Sequence, residues 1–228
     1  MWTLMGDVMK ERYFCRETLE KKALAMLSNP EIYRRPYEIK REGVALLILD
    51  MQKYFLESTS HAYVPSAPAI IPKIKALMSS FLNNRLPVIL TRHVNTEEDA
   101  GFMKRWWREI IIEENPRSEI IPELVMPDSL VLKKSQYDAF YNTPLESILK
   151  EEGVEQVVVT GVMTHLCCET TARAAAVRGF EVFFPVDATA TYKESFHRAT
   201  LLNLSHGFAH AIMSDDIINS LRGMDEGE

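Results

Sequence analysis

The sequence contains little cysteine and no excess of basic charge. Only three of its 228 residues are cysteines, namely Cys15, Cys167 and Cys168. A small, odd number of cysteines is typical of free thiols in a reducing compartment rather than of a disulfide framework. The formal net charge of −6 argues against nucleic acid or an anionic membrane as partner, because both attract clustered lysine and arginine. The composition therefore favours a small-molecule substrate.

Long hydrophobic runs are also missing. No stretch approaches the ~20 apolar residues of a membrane span, and Asp7 and the charged run 10–12 interrupt the apolar start of the chain, unlike a secretory signal. We therefore expect a cytoplasmic protein without a membrane partner. The first apolar run leads into "DMQKYF" instead of a glycine-rich turn, which argues against a dinucleotide-binding protein. We expect no cofactor.

Short apolar runs alternate with segments of helical spacing along the chain. The runs are rich in Val, Ile and Leu, as buried parallel strands are. Four are strong and two are weaker: 44–50, 86–92, 156–161 and 180–187, then 129–134 and 208–214. The alternation predicts a doubly wound, mainly parallel sheet of about six strands with helices on both faces, a Rossmann-like three-layer α/β sandwich.

The helical segments between these strands have recognisable ends. They cover residues 67–85, 143–153, 169–179 and 194–207. Gly153, Gly179 and Gly207 each fall at the end of such a segment, where a left-handed residue is expected to terminate the helix.

Residues 1–42 stand apart from this pattern. The segment "RETLEKKALAMLSNP" predicts an amphipathic helix that ends at Asn29 and Pro30. We expect an N-terminal helical extension over residues 1–42 that wraps the domain or a neighbouring subunit, one α/β domain over 43–222, and a frayed tail over 223–228.

In an open parallel sheet, ligands bind outside the carboxyl ends of the strands. The residues that follow the predicted strands are Asp50, Arg92, His93, Lys133, Lys134, the segment 161–168 and Asp187. Thr164 is a candidate N-cap, which would place Cys167 in the first turn of a helix. A helix N-terminus and a nearby lysine both lower a thiol pKa, so this pattern predicts an activated nucleophile.

Each of these residues also has a purely structural interpretation. A cysteine beside a helix of small residues is more often core packing, Asp50 could cap a loop, and either lysine could be a solvated strand end. The residues alone therefore support a thiol enzyme only as a hypothesis.

Three ordered motifs add a family resemblance. The segments "LLILDMQKYF", "LKKSQYDAFYNTPLESIL" and "VVVTGVMTHLCCETTARAAAVRGFEVFFPVDATA" resemble the isochorismatase-like cysteine hydrolase superfamily, which includes isochorismatases, nicotinamidases and carbamoyl-amide hydrolases. The resemblance implies a catalytic triad of Asp50, Lys134 and Cys167. Lys134 is preferred to Lys133 because the family pattern is a lysine, two further residues and then a tyrosine, which matches Lys134 and Tyr137.

The resemblance also implies how the site holds its substrate. A non-proline cis peptide is expected between Val162 and Met163, with the backbone N–H groups of Met163 and Cys167 forming an oxyanion hole. Aromatic side chains and one histidine are candidate substrate contacts: Phe55, Tyr137, Phe140, Trp106, Trp107 and His165. For the two tryptophans, packing on the body or on another subunit is an equally good interpretation.

The segment "THLCC" marks a branch within the family. Isochorismatases carry "AHIGC" there, so His165 and Cys168 match that branch, whereas Cys167 matches the amide hydrolases. Consecutive helical residues point about 100° apart, so we assign Cys167 to the site and Cys168 to packing. We therefore predict hydrolysis of an amide-type C–N bond through a cysteine thioester.

Two alternatives remain open. One is an isochorismatase-type vinyl-ether hydrolase that uses Asp50 as the acid, and the other is a non-catalytic or redox-sensing relative in which the two neighbouring thiols form a disulfide. His61 and His93 lie in loops that bind metal in some nicotinamidases, but the Asp-x-His motif is missing, and we expect no metal. Because family members are commonly oligomeric, a homo-oligomer is expected.

Overall fold

A computed structural model describes residues 9–126 and 129–222. Its centre is a seven-stranded sheet in which every strand pairing is parallel. The strands are β1 (Val44–Leu49), β2 (Val88–His93), β3 (Leu130–Lys134), β4 (Gln156–Val162), β5 (Glu181–Pro185), β6 (Thr189–Ala190) and β7 (His210–Ile212). All six predicted strands are confirmed. The two-residue β6, which pairs with β4, was not predicted.

The order of the strands shows the double winding directly. The main path runs β3-β2-β1-β4-β5-β7, so the chain moves outward from β1 to β3, returns to β4 beside β1, and then moves outward in the other direction. Right-handed crossovers place the helices of the two halves on opposite faces. This confirms the three-layer α/β fold and puts the reversal of strand order between β1 and β4.

Helices cover the sheet and its edges. They are α1 (Leu19–Leu27), α2 (Lys53–Leu56), α3 (Ala67–Asn83), α4 (Met103–Trp106), α5 (Leu145–Glu151), α6 (Glu169–Val177), α7 (Glu194–Gly207) and α8 (Ser214–Arg222). The five predicted helices are present. Gly153 and Gly179 have the expected left-handed backbone, with φ of 65° and 90°. The expectation for Gly207 was wrong, because it is the last residue of α7 and Phe208 follows as the cap.

The strands show two patterns of burial, one in the centre of the sheet and one at its edge. β1 and β4 are buried along their whole length, as expected for strands covered on both faces. β3 forms an edge of the sheet and alternates over its last three residues: Leu132 and Lys134 are buried, but Lys133 is exposed. Side chains in a strand point alternately to opposite faces, so only one of the two neighbouring lysines turns inward.

The N-terminal segment packs on its own domain. Tyr13 and Phe14 are buried within the same hydrophobic cluster as the central strands, and the Glu11 N–H donates to the Tyr192 carbonyl at 2.7 Å. The division at residue 42 stays a prediction, and the predicted frayed tail lies outside the described residues. In the part of the chain that the structure covers, no helix is both long and apolar enough to cross a membrane.

Candidate active site

The reversal of strand order brings the ends of β1 and β4 together. Leu49 pairs with Gly161 at the last position of the β1–β4 register, immediately before Asp50 on one strand and the cysteine segment on the other. Gly161 has φ of 106°, and a Cβ on it would collide with the Leu49 backbone, 2.7 Å from the nitrogen and closer still to the carbonyl oxygen. Only glycine allows this close approach.

Asp50 is fully buried at the end of β1. The Thr91 hydroxyl donates to Oδ1 at 2.6 Å, which fixes the orientation of the carboxylate. Oδ2 forms a buried ion pair with Lys134 Nζ at 2.8 Å. A carboxylate oxygen has more than one lone pair, so Oδ2 can still accept a proton.

Lys134 reaches the centre of the site from β3. Neighbouring strands are about 4.8 Å apart, so its long side chain must extend past the end of β2 to reach Asp50. Its ammonium donates to the Gln136 carbonyl at 2.8 Å and lies 3.4 Å from Cys167 Sγ. Burial lowers the pKa of Lys134, but the Asp50 carboxylate and Cys167 outweigh burial and raise it. The ammonium therefore keeps its proton.

Cys167 lies in a π-helical turn, Thr164–Cys168, that leads into α6. Thr164 is not the N-cap: Met163 is, because its carbonyl accepts from the N–H groups of Leu166 and Cys168. Cys167 nevertheless lies within the first helical turn, and its residue is 7% exposed.

The predicted lowering of the Cys167 pKa is wrong for this structure. Burial, followed by the charge of Asp50, raises the pKa to about 12, although Lys134 acts in the opposite direction. The site therefore holds a thiol at neutral pH. A carboxylate, an ammonium and a protonated thiol together carry no net charge.

The predicted cis peptide between Val162 and Met163 is confirmed. It directly precedes the turn that carries Cys167. The oxyanion hole itself, formed by the N–H groups of Met163 and Cys167, stays a prediction.

The second cysteine of the pair belongs to the core. Cys168 is fully buried, and its thiol faces the Thr160 carbonyl at 3.8 Å. Both Cys167 and Cys168 are free. The assignment of Cys168 to packing agrees with these contacts.

His93, which was considered from the sequence as a strand-end residue and as a metal ligand, is a neighbour of the triad. The Asn95 side chain donates through its amide to the Ser135 carbonyl, so its oxygen accepts from His93 Nε2 at 2.9 Å. This leaves His93 Nδ1 as an acceptor, 3.4 Å from Lys134 Nζ. Burial, followed by the charge of Lys134, lowers the pKa of His93 to about 4, so the ring is neutral.

These contacts do not fit a metal site. Both ring nitrogens of His93 are engaged, one with an amide and one beside an ammonium, and His61 instead faces Glu109 at 3.5 Å. Within residues 9–126 and 129–222, no group of three or more His, Cys, Asp or Glu side chains is arranged to hold a metal ion.

Three of the predicted substrate contacts, Trp107, Tyr137 and His165, are connected with the triad or with the turn that carries Cys167. The Trp107 indole donates to the Tyr137 hydroxyl at 2.7 Å, and Tyr137 is close enough to Cys167 and Lys134 for both to influence its pKa, which burial chiefly raises. His165 lies on the same turn as Cys167, where its ring stacks on Phe196 at 4.6 Å.

The other three predicted substrate contacts, Phe55, Trp106 and Phe140, are less closely connected with the triad. Phe55 is half-buried and packs edge-on against Tyr54. Trp106 is 54% exposed and contacts Phe102. The structure does not bring Phe140 to the triad, because its ring is buried between Phe180, at 6.0 Å, and the Arg178 guanidinium. A substrate contact by Phe140 therefore has no support.

The remaining strand-end candidates have structural contacts. Arg92 donates to the Ser118 carbonyl and pairs with Glu119 at 2.9 Å. Asp187 accepts from the Ser214 backbone and hydroxyl at 2.8 and 2.6 Å, which holds the start of α8. Lys133 is exposed and pairs with Glu113.

The fold is a doubly wound α/β sheet, and Asp50, Lys134 and Cys167 lie together at the carboxyl edge of its parallel strands. The sequence model of the isochorismatase domain matches residues 44–216, and the chain belongs to this family of hydrolases.

Known proteins of several kinds are similar to the chain. It is 38% identical over 200 residues to Nicotinamidase 3 of Arabidopsis thaliana, covering 83% of this chain and 96% of that protein. It is 30% identical over 180 residues to enterobactin synthase component B of Escherichia coli K12, covering 78% of this chain and 63% of the relative. A crystal structure of a cysteine hydrolase from Pseudomonas syringae pv. phaseolicola 1448A matches with a TM-score of 0.79 and 27% identity, covering 86% of this chain and 98% of that one.

Proposed function

We propose that this protein hydrolyses an amide-type C–N bond of a small molecule through a thioester on Cys167, with Asp50 and Lys134 completing the triad. The observation that carries the proposal is the position of the Lys134 ammonium, 2.8 Å from Asp50 Oδ2 and 3.4 Å from Cys167 Sγ. A carboxylate base, a cation and a thiol in one buried cluster are the groups that nucleophilic hydrolysis requires.

The raised thiol pKa determines the order of the first step. Because Cys167 is protonated in the free enzyme, Asp50 Oδ2 takes its proton as the sulfur attacks the carbonyl carbon. The N–H groups of Met163 and Cys167 would hold the resulting oxyanion.

The second half of the reaction reverses the role of Asp50. The protonated carboxyl gives its proton to the leaving nitrogen, the C–N bond breaks, and ammonia or an amine departs from the thioester. Asp50 then deprotonates a water molecule that attacks the thioester, so that the carboxylic acid leaves and the thiol is restored. Lys134 stays charged throughout.

Two relatives support an amide substrate over a vinyl ether. Nicotinamidase 3 is named for amide hydrolysis and matches most of this chain, and the similar Pseudomonas syringae structure is described as a cysteine hydrolase. The similarity to enterobactin synthase component B keeps the vinyl-ether reaction as the alternative. That reaction needs Asp50 as an acid but no thiol.

The two neighbouring cysteines provide a matched experiment. A panel of primary amides, nicotinamide and ureido compounds is screened for ammonia release, and the best substrate is then tested with Cys167→Ala and Cys168→Ala. We expect Cys167→Ala to abolish hydrolysis, whereas Cys168→Ala retains it with reduced stability. Rapid acid quench and mass spectrometry should find the acyl group on the peptide that contains Cys167 in the wild type.

The proposal fails if Cys167→Ala retains amide hydrolysis, or if no amide is hydrolysed but isochorismate is hydrolysed equally well by the wild type and by Cys167→Ala. The second result would establish the vinyl-ether alternative.

A further inference from the structure

A buried tyrosine of the N-terminal segment is linked by hydrogen bonds to the turn that carries Cys167. Tyr13 precedes the region that matches the family, which begins at residue 44. Its residue is 4% exposed. Its hydroxyl accepts from the Thr191 N–H at 2.9 Å and shares a hydrogen bond of 2.9 Å with His197 Nδ1.

Two short routes continue from these partners to the turn Thr164–Cys168. On one route, His197 Nδ1 lies 3.5 Å from the Thr164 hydroxyl. On the other, the Thr191 hydroxyl shares a hydrogen bond of 2.6 Å with His165 Nδ1. Thr164 and His165 are the first two residues of the turn, and Cys167 follows two residues later.

His197 takes part in this network through only one of its two ring nitrogens. The histidine is fully buried, yet only Nδ1 has partners, and Nε2 has none among the described residues. A buried polar group without a partner is costly. Tyr13 and Phe14 pack against the imidazole with ring centroids 5.6 and 5.4 Å away, so the N-terminal segment contributes to the burial of this histidine.

We propose that Tyr13 is a positioning residue, which holds the turn Thr164–Cys168 in its reactive geometry through Thr191 and His197. This inference rests on Cys167 as the nucleophile. A nucleophile must lie close to its target with the correct alignment, and small displacements reduce turnover strongly. Loss of the Tyr13 hydroxyl would free both partners and loosen the turn without removing any group that touches the substrate.

The test compares Tyr13→Phe with Met26→Ala. The first keeps the ring and removes the hydroxyl, whereas the second removes a buried side chain of α1 that has no hydrogen bond to the turn. We expect kcat of Tyr13→Phe to fall about 10- to 100-fold with little change in KM. We also expect Cys167 to react faster with iodoacetamide, because its thiol is shielded only while the turn is held. Met26→Ala should lower Tm but leave kcat and the alkylation rate at wild-type values.

A second pair of variants keeps the inference testable if Tyr13→Phe does not fold. His197→Asn retains a polar nitrogen near the position of Nδ1, whereas His197→Leu has similar size and no polar atom. We expect kcat to be largely retained in His197→Asn and lost in His197→Leu.

The inference is overturned if Tyr13→Phe matches the wild type in kcat and alkylation rate, if Met26→Ala lowers kcat by the same factor, or if His197→Asn and His197→Leu are equally impaired. Alkylation of Cys167 needs no turnover, so it tests the positioning role even if Cys167→Ala shows that the proposed reaction is wrong.

Discussion

Asp50 affects Cys167 in two opposite ways. Its negative charge raises the pKa of the thiol and so disfavours a free thiolate. Its Oδ2, which is paired with the Lys134 ammonium at 2.8 Å, is at the same time the proposed acceptor of the thiol proton. An isosteric change that removes only the charge should therefore separate thiol acidity from hydrolysis.

Asp50→Asn provides this separation. With the carboxylate gone, its negative charge no longer raises the pKa of Cys167, so that pKa should fall and alkylation by iodoacetamide at pH 8 should become faster. Hydrolysis of the amide should slow by about 10²- to 10⁴-fold, because the proton acceptor is lost. The two rates are measured by mass spectrometry of alkylated Cys167 and by ammonia release. Parallel slowing of both would contradict the dual role of Asp50.

The two neighbouring lysines allow a matched comparison. Lys134→Met leaves Asp50 buried without its counter-charge, which should abolish hydrolysis and destabilise the protein by about 3–5 kcal/mol. Lys133→Met removes an exposed side chain and should leave both properties nearly unchanged. Urea denaturation measures the stability and ammonia release measures the hydrolysis. If Lys133→Met lost as much of both as Lys134→Met, the assignment of Lys134 would be refuted.

Sequence spacing was sufficient to choose Lys134 over Lys133, because the family motif fixes its distance from Tyr137. It was not sufficient to find the contacts of Thr91 or His93 with the triad. Those contacts cross from β2 to β1 and β3 and depend on strand register, which a single sequence does not specify. A lone threonine in the apolar run 86–92 is the only local sign of a polar partner.

At the level of elements, Gly161 determines how closely β1 and β4 approach at the site. Gly161 has a left-handed backbone conformation, and the methyl group that Gly161→Ala adds would collide with the Leu49 backbone. Gly153→Ala is the matched control, since Gly153 also has positive φ but nothing within 4 Å of its added Cβ. Gly153→Ala should cost about 1–2 kcal/mol, and Gly161→Ala clearly more, with loss of activity. Equal costs in urea denaturation would show that the close approach is unimportant.

The strands were predictable because their apolar runs are short and bounded by polar residues. The turn at Thr164 and the end of α7 were not, since both depend on tertiary contacts. Thr164 Oγ1 faces His197 instead of capping its own helix, and Gly207 remains helical as the chain enters β7. The two-residue β6 is too short to show any hydrophobic period.

For the molecule as a whole, the buried histidines predict sensitivity to acid. Burial lowers the pKa of His93 and His165 to about 4 and that of His197 to about 3. In the unfolded chain a histidine titrates near 6.5. Below that pH the unfolded state binds protons that the folded state does not, so stability falls as the pH drops from about 6.5 towards 4.

His93 alone should contribute on the order of 3 kcal/mol to this loss at pH 4. Urea denaturation at pH 7, 6 and 5 measures the slope. His197→Asn should make the slope shallower than that of the wild type. A wild-type stability that is independent of pH over this range would disprove the expectation.

The homo-oligomer expected from the family stays a prediction, which light scattering in solution can test. Sequence could suggest an extension that wraps the domain, but it could not show where that extension docks, because the partners of Tyr13 lie far along the chain.

That separation has a consequence for the timing of folding. Tyr13 is 178 positions from Thr191 and 184 from His197, so during synthesis its contacts cannot form until these much later residues have been made. Contacts between such distant residues form slowly. We therefore expect the nucleophile turn to be completed only after synthesis has passed His197, which would keep chains that end before this residue inactive.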